Sequence, residues 1–309
     1  MSEQPTVVVT GANGLVGSHV CAALAQRGAA VRAVVRRSGT APGVEGVTEV
    51  VGEFTDPAQA PGLVEGADVL VTTVHPMGTD RATQERVGVE GTTTIATAAR
   101  EAGVGLLVHV STASVYDRRA GVGDVDESSD PVPDDAGDYP VTKRDTDARL
   151  EVLDGPTRVL VRPPVILGPG ESSLWNTLRP REMAEDPAQA HAVPDLTFAW
   201  VHVADLARLV ADLATGTIVV GEDAGAGPVA GRCTAVNAAA GASTFRHYLE
   251  TVTSALGVEP TWDDGPAWQG SVVSERARAW GWRPEVTLEA ALAELVEGLP
   301  RDVRPTSAS

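Results

Sequence analysis

The chain has 309 residues, 43% hydrophobic and 21% charged, which suits one large globular domain or a domain with a smaller lobe. A formal net charge of -18 repels phosphate backbones and anionic lipid, so neither nucleic acid nor a membrane is expected as a partner. No charged-then-apolar leader opens the chain and no apolar run reaches membrane length, so the sequence reads as cytoplasmic.

Residues 6–10 form a β-branched run suited to a buried strand, and a glycine-rich turn leads into a helix pattern from Leu15 to Gln26. Further strands are expected at 31–35, 47–51 and 68–74, followed by one helix over 84–102 that Gly103 closes. A strand at 106–110, a helix over 139–153 ended by Gly155-Pro156, and a strand at 157–161 continue the alternation. The fold class this predicts is α/β: a Rossmann-type doubly wound parallel sheet. Past residue 165 the pattern loosens. Gly168-Pro169-Gly170 marks a turn, residues 171–200 show no clean period, helices are expected over 203–213, 244–256 and 288–297, and a short strand at 218–220. The acidic stretch 124–138 reads as a surface loop or as the rim of a pocket. Cys21 and Cys233 lie in apolar stretches as free thiols, and no His/Cys/Asp cluster has metal spacing, so no metal is expected.

Thr10-Gly11-Ala12-Asn13-Gly14-Leu15-Val16-Gly17 places three glycines three apart between the first strand and the first helix. One glycine permits the tight turn, one lets backbone approach a pyrophosphate, and one lets helix and strand pack closely. The helix N-terminus then offers free N–H groups and a positive dipole end to phosphates. At the end of the second strand a carboxylate would bind the ribose hydroxyls of NAD. Here Val35 holds that place, and Arg36 and Arg37 follow, with Arg32 earlier on the strand. A guanidinium pairs with a 2′-phosphate in a charge-assisted fork, so the expected cofactor is NADP(H), with Arg36 as its first contact and Arg32 or Arg37 sharing it or merely solvated. Gly52-Glu53-Phe54, after the third strand, is placed beside the adenine; Leu15, Val16, Val74 and Pro163 complete the expected cofactor contacts. The expected domains are an NADP-binding domain over 1–165, a mainly substrate-binding lobe over 166–300 with segments returning to the first, and a loose tail over 301–309.

Tyr139-Pro140-Val141-Thr142-Lys143 puts a phenol and the chain's one lysine four residues apart, on one helix face. A free tyrosine has a pKa near ~10, and a nearby ammonium favours the phenolate. Such a tyrosine can give a proton to a carbonyl as hydride arrives, or take one from an alcohol, while the lysine also holds the nicotinamide ribose. Val110-Ser111-Thr112-Ala113-Ser114-Val115-Tyr116 brings hydroxyls to a strand's carboxyl end, where ligands of open α/β sheets bind.

Together with these segments, Arg162-Pro163-Pro164, Gly168-Pro169-Gly170, the run from Val201 to Ala207, and Gly281-Trp282-Arg283-Pro284 make the chain resemble the extended short-chain dehydrogenase/reductase superfamily, or NAD-dependent epimerase/dehydratase family, over residues 5–298. The resemblance implies a Ser/Thr–Tyr–Lys triad of Thr112, Tyr139 and Lys143, with Ser111 and Ser114 beside Thr112. The stretch from Val31 to Arg36 and His75-Pro76-Met77 are similar to the dihydroflavonol-reductase-like branch, which uses NADPH to reduce ketones or aldehydes. Homodimers through a helix pair are common in the family, so a second copy of the chain is an expected partner beside a small carbonyl or alcohol substrate. Three positions depart from the family pattern. Gly88 stands where an asparagine is frequent, Asp117 replaces a glycine, and Leu196-Thr197-Phe198-Ala199-Trp200 lacks the arginine common in sugar-nucleotide enzymes.

His75, at the end of the fourth strand, is a candidate for substrate contact or a structural histidine. Met77, Ser114, Tyr116, Trp175, Trp200 and His202 are candidates for the substrate pocket. Trp262, Trp268, Trp280 and Trp282 are assigned to packing, and His191 to solvent. The expected activity is NADPH-dependent reduction of a small organic ketone or aldehyde, and the composition is that of a high-GC bacterium, where such enzymes serve specialised biosynthesis. The rivals are a nucleotide-sugar epimerase or dehydratase and a non-catalytic NADP-sensing regulator.

Overall fold

The structure is a computed structural model that describes residues 4–299. Twelve strands are present among the described residues: β1 (Thr6–Thr10), β2 (Ala30–Val35), β3 (Val47–Val51), β4 (Val69–Thr72), β5 (Leu106–Val110), β6 (Thr157–Arg162), β7 (Val165–Leu167), β8 (His191–Ala192), β9 (Thr197–His202), β10 (Cys233–Asn237), β11 (Gly241–Thr244) and β12 (Thr261–Trp262). Seven of them form one parallel sheet in the order β10-β6-β5-β4-β1-β2-β3. The order reverses direction beside β1, which opens a crevice at the carboxyl ends of β1 and β4, the usual ligand position of such sheets. A second sheet, β11-β9-β7, carries the cleft wall, and β12 pairs with β8.

The helices are α1 (Leu15–Gln26), α2 (Ala60–Val64), α3 (Arg81–Gln84), α4 (Thr92–Glu101), α5 (Asp138–Glu151), α6 (Arg179–Glu185), α7 (Val203–Ala214), α8 (Phe245–Leu256), α9 (Glu275–Ala279) and α10 (Leu288–Gly298). Alternate residues of the large sheet feed two cores. Val7, Val9, Val71, Val108 and Val161 pack under α1 and α7, whereas Val8, Leu70, Leu107 and Leu160 pack under α2, α4 and α5. Burial on both faces is why these strands read as continuous β-branched runs rather than alternating ones. Arg27 at the end of α1 pairs with Asp212 of α7 at 2.7 Å, tying the two helices of one layer.

The one helix expected over 84–102 is three pieces: α3, a π-helical turn at Glu85–Gly91, and α4. Two glycines set the turn against its neighbours. A Cβ on Gly91 would meet Thr55 Cγ2 at 2.5 Å, and one on Gly88 would meet His75 Nδ1 at 2.8 Å. The expected strand at 218–220 is not formed; Val219 and Val220 are exposed there, and the strand of this region is β10, which joins the large sheet beside β6.

Asp205 in the first turn of α7 is fully buried. Its carboxylate accepts the backbone N–H groups of Glu285 (3.0 Å) and Val286 (3.1 Å) and pairs with Arg208, while its carbonyl accepts Trp282 Nε1–H (3.0 Å). The Val-Ala-Asp and Gly-Trp-Arg-Pro motifs are therefore two halves of one clasp between α7 and the segment leading to α10. Cys21 and Cys233 are free, and no helix of the described residues is long and apolar enough to cross a membrane.

Candidate functional site

The glycine turn lies at the crevice. Gly11 adopts φ +73°, which a side chain disfavours, and a Cβ there would also fall 2.7 Å from Thr73 Oγ1. Gly17 is needed for close packing, since its Cβ would lie 2.1 Å from the Gly11 carbonyl oxygen. Gly14, the N-cap of α1, is different: its Cβ would make only an ordinary 3.4 Å contact, so the bare backbone there keeps space open in the groove. That division of labour fits a pyrophosphate laid against the N-terminus of α1.

The groove of about 590 Å³ is lined by Gly11, Asn13, Gly14, Arg36, Glu53, Phe54, Val74 and His75 among others. Leu15, Val16, Gly17, Arg37, Lys143 and Pro163 are not on its wall. Val16 packs against the core, and the Pro163 carbonyl accepts the Ala113 N–H at 2.8 Å. Arg36 is exposed at the groove with no ion pair among the described residues, whereas Arg32 is turned away, donating to the Glu65 carbonyl at 2.6 Å. The sequence reading missed Glu49 of β3. Its carboxylate accepts the backbone N–H groups of Gly39, Thr40 and Ala41 (2.9–3.1 Å) and the Ser38 hydroxyl (3.0 Å), pinning the loop that follows the arginine pair. Those bonds hold the Glu49 carboxyl below the usual range.

A second cleft, of about 380 Å³, adjoins the groove and is lined by Met77, Thr112, Ser114, Arg118, Tyr139, Leu174, Trp175, Phe245 and Trp268 among others. Of the sequence candidates, Met77, Ser114 and Trp175 therefore reach it. Trp200 lies in the core, and His202 caps α7 through Ala204 N–H (3.3 Å) and contacts Glu294 at 2.9 Å. Tyr116 is buried, donating to Asn237 Oδ1 at 2.7 Å and accepting from Arg162 at 2.9 Å. Trp268, assigned to packing from the sequence, does pack in a buried cluster and also borders the cleft, as do Arg118, Leu174 and Phe245, which the sequence reading did not single out. Within the acidic stretch, Val132, Pro133, Asp135 and Ala136 border a neighbouring pocket rather than this cleft. His191 is exposed and contacts Asp263 at 2.7 Å.

Thr112 follows β5, with its hydroxyl oxygen accepting the Ser114 N–H at 3.1 Å, and its side chain lines the cleft beside Tyr139 of the first turn of α5. Burial raises the Tyr139 pKa above its ordinary value, against the lowering effects of the neighbouring Thr112 hydroxyl and the Arg118 charge. Arg118 is thus a cation bearing on the phenol that the spacing does not reveal. Lys143 is buried one turn further along α5 and donates to the Val110 carbonyl at 2.9 Å. Burial pulls its pKa down to about 8, while Asp147, a further turn along, holds it up.

His75 joins groove and cleft. Its ring stands edge-on to Tyr139, with centroids 5.0 Å apart, and occupies the space that the bare Gly88 leaves. Gln84 Nε2 donates to the Thr79 carbonyl (2.8 Å), so its Oε1 faces His75 Nε2 (3.1 Å) and the imidazole proton resides on Nε2. Burial and then the Lys143 charge push the His75 pKa down to about 3, so the ring is neutral at ordinary pH. The bare Gly88 is therefore matched by a histidine entering from the segment after β4.

Comparisons with known proteins agree with this architecture. Among curated proteins, a 4-hydroxy-2-methyl-3-oxo-4-farnesyl-3,4-dihydroquinoline-1-oxide ketoreductase of Stigmatella aurantiaca is 35% identical over 53% of this chain and 51% of its own. A ceramide reductase of Caulobacter vibrioides is 31% identical over 66% and 60%, and a 2-alkyl-3-oxoalkanoate reductase of Stenotrophomonas maltophilia is 30% identical over 57% and 55%. The chain thus spans between half and three fifths of the length of these relatives. A Streptomyces venezuelae dTDP-glucose 4,6-dehydratase double mutant, solved with NAD bound, superimposes with a TM-score of 0.75 at 22% identity, covering 94% of this chain and 96% of that one. The UDP-glucose 4-epimerase of Thermotoga maritima gives a TM-score of 0.73 at 19% identity over 95% and 98%. Residues 7–220 match the model of the family to which the glycine turn, the parallel sheet and the tyrosine-bearing helix already pointed, and the chain belongs to the NAD dependent epimerase/dehydratase family.

Proposed function

We propose that this protein is an NADPH-dependent reductase of a small organic ketone or aldehyde. The observation that carries the reading is Tyr139, which lines the substrate cleft together with Thr112 and touches the His75 that lines the cofactor groove. When bound, the reduced cofactor supplies the hydride. Asn13, Gly14 and the N-terminus of α1 would hold its pyrophosphate, and Lys143 its ribose hydroxyls. Thr112 and Tyr139 hold the carbonyl oxygen, and Tyr139 passes its phenolic proton to that oxygen as negative charge develops there. A pKa raised by burial suits this direction: the phenol arrives protonated, and an alkoxide is basic enough to take the proton from it. The mostly apolar wall formed by Met77, Leu174, Trp175, Phe245 and Trp268 suits an organic carbonyl compound better than a sugar. Curated relatives named as reductases favour the same chemistry.

The phosphorylated cofactor is favoured by Arg36, a guanidinium without an ion pair among the described residues, at the groove where β2 ends in Val35 rather than a carboxylate. Arg36→Ala is expected to raise the Kd for NADPH about 10- to 100-fold and leave that for NADH within about three-fold, as loss of a charge-assisted contact implies. Fluorescence titration with both nucleotides measures this, and equal effects on the two would remove Arg36 from the 2′-phosphate. The activity itself is tested by following NADPH absorbance while the purified protein meets a panel of ketones, aldehydes and oxo acids. Stoichiometric NADPH loss with a panel member is the expected result. Tight NADPH binding with no net loss on any of them would point instead to internal redox recycling on a nucleotide sugar, or to a sensor.

A further inference from the structure

The substrate cleft contains a cation that the reaction as described does not need. Arg118 lines the cleft beside Tyr139, with its guanidinium carbon 5.3 Å above the Trp268 ring. Its neighbours in the same region are matched with carboxylates: Arg119 with Asp117, Arg144 with Asp134 and Asp145, and Arg162 with Asp147. Arg118 has no such partner among the described residues. Its hydrogen bond is to a neutral hydroxyl, Ser114 Oγ, at 3.1 Å. Removal from water pulls its pKa below the ordinary arginine value, and no carboxylate offsets that cost. A guanidinium has five N–H donors in a fixed fork, so most of its donor capacity is free for a planar anion. Ser114, which accepts from Arg118, keeps its own hydroxyl proton for a second oxygen of that anion. The wider charge sharpens the point. A protein with a net charge of -18 repels anionic ligands at long range, so a cation built into the cleft serves a substrate that carries negative charge.

We infer that Arg118, with Ser114, receives a carboxylate of the substrate, and that the compound reduced is an oxo acid with an apolar tail. The inference rests on the reductase reading. The carbonyl oxygen meets Thr112 and Tyr139, the carboxylate lies a few bonds away on Arg118, and the tail runs against Leu174, Trp175 and Phe245. Neutral ketones and esters forgo the ion pair and leave the cation unmatched, so discrimination comes from both sides.

The test compares α- and β-oxo acids with their methyl esters, using NADPH oxidation by the wild-type protein and by Arg118→Met, a variant that keeps an unbranched apolar stem over Trp268. Wild type is expected to prefer acid over ester by about 100-fold in kcat/KM, as a partly desolvated arginine–carboxylate pair implies. In Arg118→Met the KM for the acids is expected to rise about 100-fold while the KM for the esters stays within a few-fold. Any loss of kcat from removing charge near Tyr139 should fall equally on both. A saturated carboxylate of matching chain length should inhibit wild type competitively and quench its tryptophan fluorescence, and should do neither to the variant. Esters reduced as well as acids by wild type, or acid and ester losing rate alike with both KM values unmoved, would overturn the carboxylate site. Absence of NADPH oxidation with every compound, alongside carboxylate quenching that needs Arg118, would sink the reductase reading and keep the anion site.

Discussion

Tyr139→Phe is expected to lower kcat for carbonyl reduction by about a thousand-fold while leaving the Kd for NADPH unchanged, the magnitude being that of a lost general acid. The ring stays in place in this variant, because its edge-on contact with His75 involves the ring and not the hydroxyl. What disappears is the hydroxyl and its proton, beside Thr112 in the cleft. The half-buried hydroxyl contributes little to the fold, so thermal unfolding should shift by no more than about 1 kcal/mol. The wild-type pH profile should be asymmetric. Because burial raises the Tyr139 pKa above its ordinary ~10, the phenol stays protonated across the neutral range, and reduction should show no tyrosine limb there. Alcohol oxidation needs the phenolate and should climb with pH toward and beyond ~10. Stopped-flow reduction rates and fluorescence titration separate the outcomes. A retained rate would show that another group gives the proton, and lost nucleotide binding would show that Tyr139 supports the groove instead.

Much of the first half of the molecule is legible because most of its strands are buried on both faces and its turns are glycine-marked. The runs at 6–10, 47–51 and 106–110 coincide with β1, β3 and β5, and the helix that carries Tyr139 starts one residue earlier than expected. The second half resists such reading for physical reasons. β9 and β10 draw their stability from partners far away in sequence, β10 pairing with β6 some seventy residues upstream. Its Cys-Thr-Ala-Val-Asn lacks the β-branched density of β1, whereas Ile218-Val219-Val220 has that density but no partner strand. A period of 3.6 cannot reveal a π turn, although Gly88 and Gly91, three apart in a helix pattern, were its visible trace.

The site shows the same division. Tyr139 and Lys143 are legible by spacing, whereas Arg118, whose charge also acts on Tyr139, is not. Arg118 sits in an Asp-Arg-Arg run that carries no motif, and only the fold lays it over Trp268 and beside the phenol. His202 and Trp200, candidates for the pocket from the sequence, lie on β9 beside the cleft wall. Their side chains instead cap α7 and fill the core, and the cleft is served from β9 by Thr197 and Ala199.

Asp147 extends the face of α5 that carries Tyr139 and Lys143, each four residues from the next, and its removal should be felt at Lys143. The carboxylate is buried, with Oδ2 accepting Arg162 Nε–H at 3.0 Å. Burial raises its pKa, while the Arg162 and Lys143 charges pull it back down. Lys143 is an ammonium below its folded pKa of about 8 and a neutral amine above it, and Asp147 is the charge that holds that value up. Asp147→Asn keeps the shape and an acceptor oxygen but removes the charge, so the Lys143 pKa must fall. The alkaline limb of kcat/KM for reduction should therefore move to lower pH, activity at neutral pH should drop, and activity should recover as the pH is lowered and the amine regains its proton. The variant should also lose about 3–5 kcal/mol of stability, because Arg162 is left without its buried counter-charge. Thermal unfolding reads the second effect, and rates of the folded protein across pH read the first. Lost stability with an unmoved alkaline limb would make Asp147 a partner of Arg162 alone, whereas the shifted limb makes the α5 face a line of coupled charges that keeps Lys143 protonated at the pH where Tyr139 donates.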